Sequence, residues 1–76
     1  MNLYQITSPN IGTSSLIVKA HTPKEASKVA RDVIVEGRMS NDESFIVHVT
    51  ELVQPENGGA GYCYPLNVTK TYNYKQ

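Results

Sequence analysis

The stretch HTPKEASKVARDVIVEG, residues 21–37, constrains this chain more than any other. Thr22 stands where a helix N-cap belongs, and Pro23 takes the first helical position, where a missing N–H costs nothing. Glu25, three residues after Thr22, completes a capping box in which each side chain serves the other's orphan backbone donor. Ala26, Val29, Ala30, Val33 and Ile34 recur at helical spacing and make one apolar face. Gly37 is placed for a left-handed stop. Start, face and stop agree, so the pattern predicts a helix over 22–36. The small alanines on its face suit close approach to a sheet.

The flanking segments read as strands. NLYQITS alternates and SSLIVKA is rich in β-branched residues, with the turn-like PNIGTS between them, which predicts a hairpin of strands 2–8 and 14–20. Leu16, Val18 and Ala20 fall on one face, and Ile17 and Lys19 on the other. FIVHVTELV predicts a strand over 45–53, with Phe45, Val47 and Val49 on one side and Ile46, His48 and Thr50 on the other. QPENGGAG is a turn by composition. Beyond it, β-formers are interrupted at Pro65, which cannot donate to a ladder, so residues 62–64 and 67–74 form two short strands or one bulged edge strand. The order β-β-α-β, followed by one or two further strands, specifies an α+β fold. The expected form is a single domain over 1–76, an antiparallel sheet of four or five strands with one helix packed on one face.

At 76 residues the chain has room for only one small core. A chain of this size buries about 60% of its unfolded surface, so pairing as a homodimer would help it. The lone cysteine, Cys63, rules out an intrachain disulfide and fits a reducing cytoplasm. The first residues lack the pattern of a signal peptide, and no apolar run approaches the roughly 20 residues of a membrane span, so no membrane partner is expected. Net charge is zero but unevenly spread. Lys19, Lys24, Lys28 and Arg31 stand against Glu25 in residues 1–31. Asp32, Glu36, Asp42, Glu43, Glu51 and Glu56 stand against Arg38 in 32–56. Residues 57–76 hold only Lys70 and Lys75.

Little in the chain points to catalysis. The glycine-rich ENGGAGY lacks the lysine and serine or threonine of a phosphate loop and precedes a strand-like run, not a helix. Pairing around the 54–61 turn places His48 about 13 Å from Cys63 at 3.3 Å per residue, too far for a thiolate–imidazole hydrogen bond. His21 sits beside the helix start. No metal-ligand spacing or cofactor motif occurs, and Asp42 and Glu43 are neighbours in a polar loop with nothing apolar to raise a carboxyl pKa. The chain reads as non-enzymatic. Asn67-Val68-Thr69 fits the glycosylation pattern but has no secretory signal with it.

Surface chemistry is more informative. Lys24, Lys28 and Arg31 are spaced four and three apart and form one basic helical stripe. Tyr72 and Tyr74 alternate, so both rings leave the strand on the same side, with Lys70 and Lys75 beside them. Such a stretch serves as structural cover for the helix-free face of the sheet, as a protein interface, or as a platform that stacks bases and meets phosphates. A neutral chain lacks the strongly basic footprint of a dedicated nucleic-acid binder. The competing contact face is acidic, Asp42, Glu43, Glu51 and Glu56, which could mimic phosphate toward a basic groove.

The order of elements, with Val18 and Ala20 ending a strand, Ala26 and Ala30 on the helix, and the FIVHV strand after it, resembles small phage-encoded inhibitors of bacterial defence. It is similar in particular to some anti-CRISPR proteins of type I systems, which place five strands around one helix. The resemblance implies a non-enzymatic protein that docks on a host protein or ribonucleoprotein complex and blocks its nucleic-acid path. It transfers no functional residues. The alternative expectation is direct binding of nucleic acid through the C-terminal tyrosine and lysine stretch and the basic stripe.

Overall fold

The computed structural model describes residues 1–55 and 59–76. Four strands, β1 (Asn2–Thr7), β2 (Ser15–Ala20), β3 (Ser44–Val53) and β4 (Tyr64–Lys75), form one antiparallel sheet in the order β2-β1-β3-β4. The single helix, α1 (Pro23–Glu36), connects β2 to β3 and packs on one face. The fold is therefore the α+β arrangement expected, with four strands among the described residues. Glu56 and the Asn57-Gly58 part of the turn lie outside the described residues.

Alternation decides the core. Tyr4 and Ile6 of β1, Val18 and Ala20 of β2, and Phe45, Val47 and Val49 of β3 all point toward the helix and are buried. Register keeps them together, with Tyr4 opposite Val18 and Ile6 opposite Val49. The turn between β1 and β2 contains a short 3-10 turn, Pro9–Ile11, capped by the Ser8 side chain, and it buries Ile11. Because β1 pairs with β3 only from His48 onward, the Ile46 N–H has no strand partner on that side. The Asn10 side-chain carbonyl accepts it at 3.0 Å, so the turn finishes the ladder.

The Thr22 cap forms as the sequence predicts, but the return bond of the capping box differs, because Glu25 reaches the N–H of His21, one residue before the expected Thr22. The Thr22 side chain accepts from the Glu25 N–H at 3.1 Å, and the Glu25 carboxylate accepts from the His21 N–H at 3.2 Å. Its buried face differs from the apolar pattern. Ala26, Ala30 and Ile34 are buried, but Val29 and Val33 are each about two-fifths exposed, and Ser27 is fully buried instead. The helix is turned toward β4, where Tyr74 offers Ser27 a hydroxyl partner, and the two valines are carried to the opposite flank.

The helix end also differs. Gly37 is right-handed, at φ −79°, and Arg38 takes the left-handed conformation, at φ 51°. Met39 N–H reaches the Ile34 carbonyl at 3.0 Å and Arg38 N–H the Val35 carbonyl at 3.3 Å, the two bonds of a Schellman motif with Arg38 as its left-handed residue. Glycine is needed at 37 for another reason: a Cβ there would lie 2.7 Å from the Val33 carbonyl oxygen.

β4 is one continuous strand through Pro65. From Ser44 to Thr50 the pairing with Lys75 to Thr69 is regular. Between Thr50 and Leu52, β3 advances two residues while β4 advances four, from Thr69 to Pro65, so β4 carries a bulge at Leu66–Val68. Proline explains the place: it donates nothing to the ladder, and an edge strand tolerates the offset. The hairpin of β3 and β4 outruns the helix and gives the molecule its length, 41 Å by 19 Å by 18 Å.

Relief of the left-handed strain at 38 is expected to stabilise the fold. Arg38→Gly should raise the unfolding free energy by about 1 kcal/mol, whereas Gly37→Ala should lower it. Chemical denaturation of the two variants checks this, and a loss of stability in Arg38→Gly would contradict the assignment.

Candidate docking surface

Tyr72 and Tyr74 lie on the helix side of the sheet, opposite Val47 and Phe45. The helix-free face, where structural cover by this pair was expected, does not hold them. The reason is register: β4 meets β3 so that its even-numbered positions from Lys70 to Tyr74 share the side of Val49, Val47 and Phe45. Both rings are half-buried against the core. The Tyr74 ring lies 6.0 Å from that of Phe45, and its hydroxyl is hydrogen-bonded to the buried Ser27 hydroxyl. Ser27 in turn donates to the Lys24 carbonyl, so Tyr74 is tied to the first turns of α1.

The helix contributes its basic stripe to the same side. Arg31 sits over the Tyr74 ring, 5.7 Å from its centre, and also bonds Asp32 at 2.9 Å, with both side chains well exposed. Lys24 and Lys28 occupy the same flank as Arg31 and Ser27, since residues three and four apart are neighbours on a helix. Near the helix start, Leu66, Val68 and Lys70 of β4 border an open cleft of about 430 Å³ with His21, Pro23 and Glu51. The flank of α1 and the outer part of β4 thus run side by side. Pro23 is level with Lys70, and Arg31 with Tyr74. Eight helical residues rise about 12 Å and four strand residues span about 13 Å, so the two courses match.

Six of the sequence-selected residues therefore share one rim: Lys24, Lys28, Arg31, Lys70, Tyr72 and Tyr74. Lys75 does not, because its odd position in β4 turns it to the helix-free face opposite Ser44. The acidic set is divided. Asp42 and Glu43 flank the start of β3, where Asp42 accepts from the Asn10 amide and the Glu43 carbonyl from the Gln76 N–H. Glu51 lies near the other end of β3, about 26 Å from Glu43 at 3.3 Å per residue. Glu56 is outside the described residues.

The candidate nucleophile and bases are scattered. His48 lies on the helix-free face and bonds Thr71 at 3.0 Å, with Thr50 and Thr69 paired beside it at 2.8 Å. Cys63 is exposed just before β4. Tyr64 pairs with Val53, so His48 and Cys63 stand about 17 Å or more apart along the hairpin, somewhat farther than the sequence implied. Sequence reasoning missed Ser27, Leu66 and Val68. Ser27 gave no apolar signal, whereas Leu66 and Val68 share the even positions of Lys70, Tyr72 and Tyr74, and only the pairing of β4 with β3 shows that these positions border the cleft at the helix start.

No family model matches the chain, and no curated protein or solved structure is detectably similar to it. Among the described residues, no helix is long and apolar enough to cross a membrane.

The tie between β4 and α1 has a measurable strength. Tyr74→Phe should cost about 1 kcal/mol for the lost hydroxyl bond, and Tyr74→Ala about 3 kcal/mol as the ring leaves Phe45 and the helix. Equal stability of Tyr74→Ala and the parent in urea unfolding would show that the ring does not hold the rim.

Proposed function

We propose that the chain is a small non-enzymatic binding protein that docks on a macromolecular partner through the rim of α1 and β4. One observation carries the reading. Residues 39 or more positions apart, Lys24, Lys28 and Arg31 with Lys70, Tyr72 and Tyr74, stand together beside a cleft bordered by exposed Leu66 and Val68. Basic groups, aromatic rings and exposed aliphatic side chains are the mixture that protein interfaces use.

The chemistry of the rim favours an acidic protein face over nucleic acid. Base stacking needs open ring faces. The Tyr74 ring is engaged by Phe45 and Arg31, and the open face of the sheet presents threonine, asparagine and histidine where a stacking platform needs aromatics. The inhibitor reading implied by the architectural resemblance uses the same surface. Grooves that bind nucleic acid are themselves basic, so a basic rim would seat beside such a groove and hide it sterically. Entry into the groove by phosphate mimicry would need the acidic residues gathered, and Asp42 and Glu43 lie far from Glu51.

Capture from a lysate of the source organism tests this. Lys24→Glu with Lys28→Glu should reduce the captured partner about tenfold, and Asp42→Lys with Glu43→Lys should not. Unchanged capture by a folded Lys24→Glu/Lys28→Glu variant would end the reading. A mobility shift of DNA or RNA that weakens steeply with salt would replace it with nucleic-acid binding.

A further inference from the structure

The docking reading leaves open what kind of structure the partner presents. We infer that β4 accepts an extended acidic segment of the partner as a fifth strand along Thr69–Lys75, with carboxylates at alternate positions facing Lys24, Lys28 and Arg31. The inference rests on the docking reading and adds the form and chemistry of the contacting segment.

Four features carry it. β4 is hydrogen-bonded only to β3 among the described residues, so alternate backbone N–H and C=O groups from Thr69 to Lys75 point outward without a strand partner. This stretch is regular and held at its end. Gln76 N–H bonds the Glu43 carbonyl at 2.7 Å, and the Gln76 side-chain amide bonds the Ser40 and Asp42 carbonyls at 2.9 and 2.7 Å. At the other end the bulge at Leu66–Val68 breaks the line of donors, which sets the length of an added strand at about seven residues.

The spacing of charge then selects the occupant. Lys24 and Lys28 are about 6 Å apart along the helix axis, and Arg31 follows about 4.5 Å further on. Alternate residues of a strand are about 6.6 Å apart, so carboxylates two positions apart match Lys24 and Lys28, and the length of the Arg31 side chain spans the roughly 2 Å by which a third falls out of step. Arg31 can exchange its exposed bond with Asp32 for one to the incoming carboxylate. A second copy of the chain suits the edge less well. β4 carries Lys70 and Lys75 and no acid, so a second copy paired on this edge brings no carboxylate to the basic stripe.

Amide hydrogen exchange by NMR on the whole chain tests the inference. The probe is an acetylated, amidated peptide of four Glu-Thr repeats. Its controls are a Lys-Thr peptide and a Glu-Thr peptide N-methylated at alternate residues. The Glu-Thr peptide should slow the outward amides of Thr69–Lys75 about tenfold and leave those of β2 unchanged. The Lys-Thr and N-methylated peptides should not. Lys24→Glu with Lys28→Glu should abolish the protection. Equal binding of the N-methylated peptide would overturn strand addition, while the capture experiment could still uphold docking through charge. Absence of protection at about 1 mM peptide would overturn it too. So would protection without peptide that grows with protein concentration, since a second copy would then hold the edge.

Discussion

How closely α1 lies on the sheet governs everything else. Ala26 and Ala30 on the helix and Ala20 at the end of β2 are fully buried, and none carries bulk beyond its Cβ. Interiors pack at crystal-like density, so small residues at the contact draw the two layers together. At that distance the Ser27 hydroxyl reaches Tyr74, and Arg31 falls across the same ring. A larger residue at 26 or 30 would lift the helix and separate the basic flank from β4. The rim is a consequence of alanine as much as of lysine and tyrosine.

Much of this architecture could be read from the chain. The Thr22 cap on the Glu25 N–H is a local signal, and the alternation in Phe45-Ile46-Val47-His48-Val49 assigns faces without reference to anything distant. The order of elements followed from such local signals, as did the common side of Tyr72 and Tyr74. What could not be read depended on neighbours remote in sequence. Which side the tyrosines share is fixed by the register of β4 on β3, which spacing within β4 alone does not reveal. Ser27 is buried in place of Val29 because a tyrosine 47 residues away turns the helix toward itself. The left-handed residue falls on Arg38 because the helix closes with Arg38 on Val35 and Met39 on Ile34, while glycine stands at 37 because the space there is tight against the Val33 carbonyl.

The candidate surface was legible in the same uneven way. Helical spacing placed Lys24, Lys28 and Arg31 in one stripe, and strand spacing placed Lys70, Tyr72 and Tyr74 in another. Nothing in either spacing says that the stripes adjoin. Their meeting is a tertiary fact, produced by the path of α1 from the edge strand β2 across the sheet to β3. The acidic residues illustrate the converse. They cluster in sequence, yet the length of β3 carries Glu51 far from Asp42 and Glu43.

The offset at Leu66–Val68 also bears on solubility. A flush, twelve-residue border with three tyrosines and two threonines would be a template for sheet growth. Two surplus residues and a proline break that border into a short usable run and an irregular remainder. The regular ladder of that border is thereby confined to Thr69–Lys75, and the irregular remainder offers less to edge-to-edge pairing.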